Sequence, residues 1–286
     1  MNNSDIKQQV RQFYDRVGWQ MVGEGIYQNA RYEDLRPVSS EYIHRCHLRV
    51  WRFLRKEGVY LLDAGCGPIQ YPDYLVYSQG YRYRVCLDIS LVALEEARKR
   101  IGAHGLFVAA DVANLPFKPE VFGGVVSLHT LHHLPVDDQT CAYHELYRVL
   151  APESTAVVVN GWTESPLMKR LQWLVVLMER SGKWALLRRK DQPVEKSSTM
   201  EKPAEPTGTY IQKQDAGWLR QQLQGMQFEI RCWRSVSVRF LRAVIHRPLA
   251  GQYALRLLYW FEERYPHYFG ENGQYPLVII RKGSQV

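Results

Sequence analysis

Short apolar runs alternate with amphipathic stretches in the middle of the chain, between residues 59 and 160. Apolar runs without a regular polar alternation are typical of strands that are buried on both faces of a parallel sheet. This pattern predicts five strands, at residues 59–62, 84–88, 106–110, 124–128 and 155–159. Two later strands are predicted at residues 228–233 and 277–281.

Segments with helical periodicity lie between several of these strands. Residues 91–101 repeat apolar side chains at helical spacing, and Ser90 stands at the N-cap position before them. A second helix is predicted at residues 137–150, where Pro152 stops it. Strands that alternate with helices predict an α/β fold, namely a doubly wound, Rossmann-like and mostly parallel seven-stranded sheet.

Segments outside this alternation define the predicted domain organisation. Residues 1–57 predict a helical N-terminal cap, followed by the first half of the core at residues 58–160. Residues 161–209 predict a helical insert that ends in a mobile loop at 191–208, a stretch rich in Lys, Glu, Pro, Ser and Thr. Residues 210–286 predict the last strands of the core with a further helical insert between them.

Composition excludes several classes of protein. Of the 286 residues, 46% are hydrophobic and 23% charged, as in globular domains rather than disordered or collagen-like chains. Its five cysteines are odd in number and lack CxxC spacing, which favours free thiols in a reducing compartment. The N-terminus has no signal-peptide pattern, and no apolar helix approaches the roughly 20 residues that span a bilayer. We therefore expect a cytoplasmic protein without a membrane span.

The formal net charge is +8, with 37 Lys and Arg against 29 Asp and Glu. Such an excess suits nucleic acid, anionic membranes or acidic substrates as well as simple solubility. Because the positive residues are spread rather than packed into a block, we favour solubility and expect no nucleic-acid partner. The arginines between residues 231 and 247 are expected to form a solvated face, with binding of an acidic substrate as the alternative.

The first predicted strand ends in a glycine-rich turn, Asp63-Ala64-Gly65-Cys66-Gly67-Pro68. Glycine lets a ligand approach the backbone closely, because no side chain stands in the way. A dinucleotide site would read GxGxxG or GxGxxA, whereas Gln70 stands at the last position here. The acidic residue before the turn suits an amino or cationic group better than a pyrophosphate. The ligand indicated is a nucleoside with an amino acid and no phosphate, a description that S-adenosylmethionine fits.

Three aspartates, Asp63, Asp88 and Asp111, end successive predicted strands. The carboxyl ends of parallel strands meet at one edge of an open α/β sheet, and ligands bind at that edge. A single such aspartate is typical of a turn or a helix N-cap. Three of them in phase with a glycine turn favour a shared ligand site.

Over about residues 59–160, these motifs resemble the class I S-adenosylmethionine-dependent methyltransferases. The resemblance makes residues 58–160 the cofactor-binding half of the core. It implies that Asp88 accepts hydrogen bonds from the ribose hydroxyls, that Ile89 lies on the adenine, and that Asp111 faces the adenine amino group. The cofactor-binding residues that it implies are Tyr14, Asp63, Gly65, Cys66, Gly67, Asp88, Ile89, Asp111, Val112 and His129.

The segment after the fourth predicted strand carries His129, His132 and His133 and resembles the wall of the family's methyl-transfer site. Imidazole titrates near neutrality, so His129 and His133 are the candidate catalytic bases for an acceptor that must lose a proton. A role in shaping the pocket or bonding the backbone is the alternative. No Cys or carboxylate completes a set of ligands beside them, so no metal is predicted.

Tyr14 and Trp19 lie in a segment that folds over the cofactor in many members of the family. Either ring could stack on adenine or face the sulfonium in a cation–π contact, worth about 0.5–2 kcal/mol. Packing of these aromatic rings onto the core is an equally open alternative.

The resemblance implies an S-adenosylmethionine-dependent methyltransferase that acts on a small-molecule acceptor, and the apolar inserts favour an apolar or aromatic one. We favour O-methylation in secondary or cell-envelope metabolism. Nitrogen, carbon and sulfur acceptors stay open, as does a non-catalytic binding protein of the same fold. The fourth-strand segment lacks the Asn/Asp-Pro-Pro-aromatic motif of amino-directed nucleic-acid enzymes. The apolar inserts also suit a homodimer.

Overall fold

The computed structural model of the protein describes residues 2–23, 26–180 and 209–284. The mobile loop predicted at 191–208 and the end of the predicted insert helix beyond Arg180 lie outside these residues. Within the described ranges, none of the helices combines the length and the apolar character that crossing a membrane requires.

Strands make up a small ribbon and a large sheet. The ribbon pairs β1 (Met21–Gly23) with β2 (Ile26–Tyr27) in antiparallel orientation. The large sheet contains β3 (Gly58–Ala64), β4 (Tyr81–Asp88), β5 (Gly105–Ala109), β6 (Gly124–Leu128), β7 (Ser154–Val159), β8 (Gln227–Arg234) and β9 (Tyr275–Lys282).

Helices precede, connect and extend these strands. The α-helices are α1 (Asn3–Phe13), α2 (Pro37–Trp51), α3 (Leu91–Ile101), α4 (Val136–Val149), α5 (Pro166–Arg180), α6 (Ala216–Gln222), α7 (Val238–Val244), α8 (Gly251–Arg264) and α9 (Pro266–Asn272). A π-helical turn continues α1 over Tyr14–Gly18. Short 3₁₀ helices cover Gln28–Tyr32, Pro72–Ser78, Gly102–His104, Leu131–His133 and Arg247–Leu249.

The large sheet has the strand order β5-β4-β3-β6-β7-β9-β8. All neighbours pair in parallel except β9, which runs antiparallel to both β7 and β8. The chain winds outward from β3 through β4 to β5 and then returns to β6 on the other side of β3. This reversal opens a crevice at the carboxyl ends of β3 and β6, where open sheets bind ligands. The predicted doubly wound, Rossmann-like and mostly parallel seven-stranded sheet is confirmed.

The antiparallel strand brings the end of the chain back to this same edge. Because β8 runs parallel to the central strands, it ends at their carboxyl edge, and β9 begins there. Arg234 at the end of β8 pairs in register with Tyr275 at the start of β9. The chain therefore leaves the sheet at Arg234, forms α7–α9, and returns at Tyr275, beside the crevice.

Both faces of the sheet are buried, which explains the continuous apolar runs. Successive residues of a strand point to opposite faces. Leu61 packs in the core under α2, α3, α5, α7 and α8, whereas its neighbour Leu62 packs under α4 and α6. Val126 and Val125 divide between the two cores in the same way.

Helix α3 begins and ends where the periodicity predicts, and Ser90 Oγ accepts the N–H of Ala93 at 3.1 Å. The segment after the glycine turn differs from the expected helix near Tyr71. Ile69 has a positive φ of 53° and Tyr71 is extended, so the chain enters only a 3₁₀ helix, with Pro72 at its first position.

Candidate active site

A cavity of about 460 Å³ opens at the carboxyl edge of the sheet. Its volume lies within the roughly 300–1,000 Å³ of small-molecule sites. The structure brings all the predicted site residues together along this one cavity: Tyr14, Asp63, Gly65, Cys66, Gly67, Asp88, Ile89, Asp111, Val112, His129 and His133.

The backbone N–H groups of the glycine turn are all engaged within the chain. Gly65 and Cys66 donate to the carbonyl oxygen of Leu87 at 2.7 and 3.1 Å, and Gly67 donates to Asp88 Oδ2 at 2.9 Å. A pyrophosphate site needs free N–H donors at such a turn. The geometry therefore agrees with the preference for a ligand without phosphates.

Two positions of this turn require glycine. Gly65 has φ +76°, and a Cβ there would lie 2.2 Å from Thr130 Cγ2. Gly67 has φ +53°, and a Cβ there would lie 3.1 Å from the Trp19 indole. The Trp19 ring therefore lies against the turn and forms a cradle with it. Cys66 contributes backbone, because its thiol is buried and burial raises the thiol pKa.

Asp88 connects the end of β4 to the turn. Besides the N–H of Gly67, its carboxylate accepts the N–H of Ser90 at 2.9 Å. Burial raises the pKa of Asp88 to about 6, and the nearby Asp63 carboxylate adds to this shift. The residue lines the cavity beside Ile89, where the ribose contact is predicted.

Asp63 has a cationic partner within the chain. Arg84 on β4 donates from Nε and Nη2 to Asp63 Oδ2, at 3.0 and 2.5 Å, and both residues are buried. Much of the negative charge of Asp63 is thereby balanced before any ligand enters. Its contact with the amino group of the cofactor stays a prediction.

Asp111 also has a partner that the motifs do not reveal. Lys7 of α1 contacts Asp111 Oδ2 at 2.5 Å and Asp138 Oδ2 at 2.6 Å. The other oxygen of Asp111 accepts the N–H of Ala113 at 2.9 Å. One lysine thus ties the N-terminal helix to the loop after β5 and to α4, at the adenine end that the resemblance implies.

Tyr14 connects the N-terminal segment to the histidine segment. Its ring stacks on Trp19 with 4.9 Å between centroids, and its hydroxyl lies 2.8 Å from His133 Nε2. His133 Nδ1 lies 2.8 Å from the carbonyl oxygen of Tyr210, which can only accept, so the imidazole carries its hydrogen on Nδ1. Tyr14 therefore donates its hydroxyl hydrogen to His133 Nε2.

The three histidines are neutral at physiological pH. Burial, with a contribution from Arg234, lowers the pKa of His129 to about 3, and burial lowers that of His133 to about 4. His132 is shifted in the same direction by burial, and its Nδ1 lies 3.1 Å from Asn160 Oδ1. Among the described residues, no hydrogen bond to the His129 ring is formed, and this ring packs edge-on against Trp233 and Tyr275.

Sequence motifs missed two residues of the cavity wall, and the environment of a third one was predicted wrongly. Glu33 and Lys213 line the cavity without belonging to a recognisable pattern. Arg234 was expected on a solvated face, which is wrong: it is 2% exposed, lines the cavity and forms an ion pair with Glu33. Its position at the end of β8 buries it, whereas Arg239, on α7, stays exposed.

In the part of the chain that the structure describes, no group of three or more His, Cys, Asp or Glu side chains is placed to hold a metal ion.

Comparison with known proteins agrees with this geometry. A family model described as a methyltransferase domain matches residues 62–158, from β3 to β7. The matched stretch contains the glycine turn, Asp88, Asp111 and the histidines. Residues 62–158 therefore form a methyltransferase domain of the class I S-adenosylmethionine-dependent family. The resemblance inferred from the sequence is confirmed, and S-adenosyl-L-methionine is the methyl donor of this family.

Curated relatives match about a third of the chain. The malonyl-[acyl-carrier protein] O-methyltransferase of Salmonella typhimurium is 36% identical over 92 residues, which are 32% of this chain and 35% of that protein. The 18S rRNA (guanine-N(7))-methyltransferase of Bos taurus is 33% identical over 109 residues, 35% of this chain and 38% of that protein. The chain thus spans less than half the length of the curated relatives it matches.

A solved structure extends the likeness to the whole chain. Phosphoethanolamine N-methyltransferase 1 of Haemonchus contortus, in complex with phosphoethanolamine and S-adenosylhomocysteine, aligns with all of this chain and 51% of its own, at a TM-score of 0.57. Its sequence is 9% identical, so this likeness shows the fold alone.

Proposed function

We propose that this methyltransferase transfers a methyl group from S-adenosyl-L-methionine to a small-molecule acceptor, with oxygen as the favoured acceptor atom. The observation that carries the proposal is the lining of the cavity. Besides the glycine turn and His129, the lining includes Tyr71, Tyr74 and Tyr275, and the Tyr275 ring packs edge-on against His129. Aromatic walls with a few polar groups are typical of sites for one small ligand.

The first part of the cavity fits the donor. Gly67 and the Trp19 ring form a cradle, while Asp88 and Asp111 offer carboxylate oxygens to hydroxyl and amino groups. When bound, S-adenosylmethionine supplies a methyl group on a cationic sulfonium. The chain positions the two reactants and excludes water, an effect that can be worth roughly 7–11 kcal/mol of the barrier.

His129 is the residue we propose to accept the proton of the acceptor. Its ring lines the cavity, and it is neutral, so a ring nitrogen can accept a hydrogen bond from a hydroxyl. With a pKa of about 3 it is a weak base, which suits an acidic hydroxyl such as a phenol better than an alcohol.

His133 is better suited to positioning than to proton transfer. Its Nδ1 donates to a backbone carbonyl, and its Nε2 already accepts the hydroxyl hydrogen of Tyr14. An acceptor would have to displace Tyr14 before it could use this imidazole. Of the two predicted bases, we therefore propose only His129 for proton transfer. We propose that His133 holds Tyr14, and with it Trp19, over the glycine turn.

A nucleic-acid acceptor is the second candidate. The net charge of +8 and the similarity to an rRNA methyltransferase favour it. That similarity covers 35% of this chain and 38% of the relative, so it carries little information about the acceptor. The aromatic lining favours the small molecule.

Methyl-labelled S-adenosylmethionine separates these candidates. The purified protein is incubated with the labelled donor and with three fractions of a cell extract: metabolites, total RNA and protein. Label in a metabolite that loses an O–H group supports the proposal, whereas label in RNA contradicts it. Binding of S-adenosylhomocysteine without transfer to any fraction would favour the non-catalytic alternative.

A further inference from the structure

Lys213 brings an unbalanced positive charge to the acceptor end of the cavity. Its side chain lines the cavity, and its Nζ would lie 3.3 Å from a Cβ at Gly161, just after β7. Among the described residues, the Lys213 ammonium forms no hydrogen bond or ion pair. Burial lowers its pKa, which shows that the group is partly removed from water without a compensating anion.

Arg234 is a second cation on the same wall. It is 2% exposed, pairs with Glu33 through Nη1, and lies over the Tyr275 ring at 4.6 Å. Its Nε is buried without a hydrogen-bond partner. Buried N–H donors are nearly always satisfied, so an unused one on a cavity wall favours a ligand that accepts.

At the acceptor end, the other charges do not cancel Lys213, because Glu33 balances Arg234. Asp88 forms no ion pair among the described residues, but it lies at the glycine turn, at the donor end. Arg84 pairs with Asp63 there, and Lys7 is shared by Asp111 and Asp138. The three histidines are neutral because burial lowers their pKa values. The acceptor end is therefore left with about one unit of positive charge beside aromatic rings.

Building on the proposed function, we propose that the acceptor carries an anionic group, a carboxylate or a phosphate, which Lys213 binds as the charged partner and Arg234 Nε as a hydrogen-bond donor. Tyr71, Tyr74 and Tyr275 contact the apolar body of the acceptor, which is thereby held with its methylated atom toward His129.

The methionine carboxylate of the donor is the competing partner of Lys213. The strand order opposes it, because the glycine turn follows β3, whereas Lys213 lies against Gly161 after β7. Strand β6 separates these two positions. The aromatic contacts of His129 with Trp233 and Tyr275 also place the far wall on the β8–β9 side.

Matched acid and amide probes test the proposal by calorimetry on the full chain saturated with S-adenosylhomocysteine. The probes are 4-hydroxyphenylacetate, its neutral analogue 4-hydroxyphenylacetamide, and phenyl phosphate. We expect one or both anions to bind about tenfold or more tightly than the amide, as a charge-assisted hydrogen bond provides. Which anion binds better distinguishes a carboxylate acceptor from a phosphate one.

Substitutions at Lys213 test whether this lysine causes the preference for the anion over the amide. Lys213→Met should abolish the preference for the anion while S-adenosylhomocysteine binds as before, and Lys213→Arg should retain the preference. Lys118→Met, outside the cavity, is the matched control and should change neither. Thermal unfolding checks that each variant is folded.

Two results would overturn the proposal. The first is equal binding of acid and amide by the wild-type protein. The second is a loss of S-adenosylhomocysteine affinity in Lys213→Met with the anion preference intact, because this would assign the lysine to the donor carboxylate. If the wild-type protein does not bind S-adenosylhomocysteine at all, the proposed function fails instead. In that case the acid and the amide are titrated into the protein without S-adenosylhomocysteine. Tighter binding of the acid would then still support the anion site.

Discussion

Asp88 Oδ2 accepts the backbone N–H of Gly67 at 2.9 Å, so the carboxylate that is predicted to bind the ribose also holds the glycine turn in place. One side chain can serve both the predicted ribose contact and the glycine turn, because β4 ends beside the turn that follows β3. A substitution at Asp88 should therefore weaken both the donor site and the fold around it.

Asp88→Asn is expected to lower the affinity for S-adenosylhomocysteine by about 1.5–3 kcal/mol, the value of a hydrogen bond to a charged group. It should also lower the free energy of unfolding, because an amide NH₂ cannot accept from Gly67 or Ser90. Calorimetry and denaturant unfolding measure the two effects. Asp137→Asn at the exposed start of α4 is the control. An unchanged affinity in Asp88→Asn would show that the ribose assignment is wrong.

The affinity for the donor should fall at acidic pH. The pKa of Asp88 is raised to about 6, so the carboxylate that accepts hydrogen bonds from hydroxyls is present above this pH and is lost as the pH decreases through it. S-Adenosylhomocysteine titrations between pH 5 and pH 8, at about constant ionic strength, should show weakening centred near pH 6. The same dependence in Asp88→Asn would assign it to another group.

His129→Asn is expected to reduce turnover and to leave S-adenosylhomocysteine affinity nearly unchanged. Asparagine suits this position because the φ of His129 is +55°, a region that asparagine tolerates better than most residues. The wild-type rate should also lack a step near pH 6.5, since the pKa values of His129 and His133 lie at about 3 and 4. His144→Asn on the exposed face of α4 is the control. Full activity in His129→Asn would remove this histidine from the mechanism.

Gly65→Ala should destabilise the protein more than Gly225→Ala does. Both glycines have positive φ, +76° and +84°, so alanine costs about 1–2 kcal/mol at either position. A methyl group at Gly225 meets nothing within 4 Å, whereas at Gly65 it would lie 2.2 Å from Thr130. Denaturant unfolding gives the difference between the two variants, which reports the contact with Thr130. Equal losses of stability would contradict this packing of the turn.

The sequence predicts well those features that depend on local pattern. Leu61 and Leu62 are both apolar because the sheet is covered on both faces, so an uninterrupted run identifies β3. Asp63 and Asp88 follow from their positions at strand ends, because strand ends of one sheet share an edge. The strand boundaries lie within three residues of the observed ones.

Features that depend on partners far along the chain are not predictable in this way. Arg84 neutralises Asp63 and Lys7 neutralises Asp111, and neither pairing leaves a spacing that a single sequence reveals. Arg234 shows the same difficulty. It is one of several arginines between residues 231 and 247, and only the return of β9 beside β8 separates it from its exposed neighbours.

The register of Arg234 with Tyr275 has an evolutionary consequence. The forty residues between them leave the sheet and return to it at this one residue pair, so a different loop could replace them without breaking the sheet. Such a graft would have to keep Glu262, because its buried pairing with Arg49 docks the loop on α2, and losing one partner costs about 3–5 kcal/mol. Arg234 and Tyr275, which line the cavity, lie on the sheet at the two ends of the exchanged loop, so such a graft would leave the cavity wall in place.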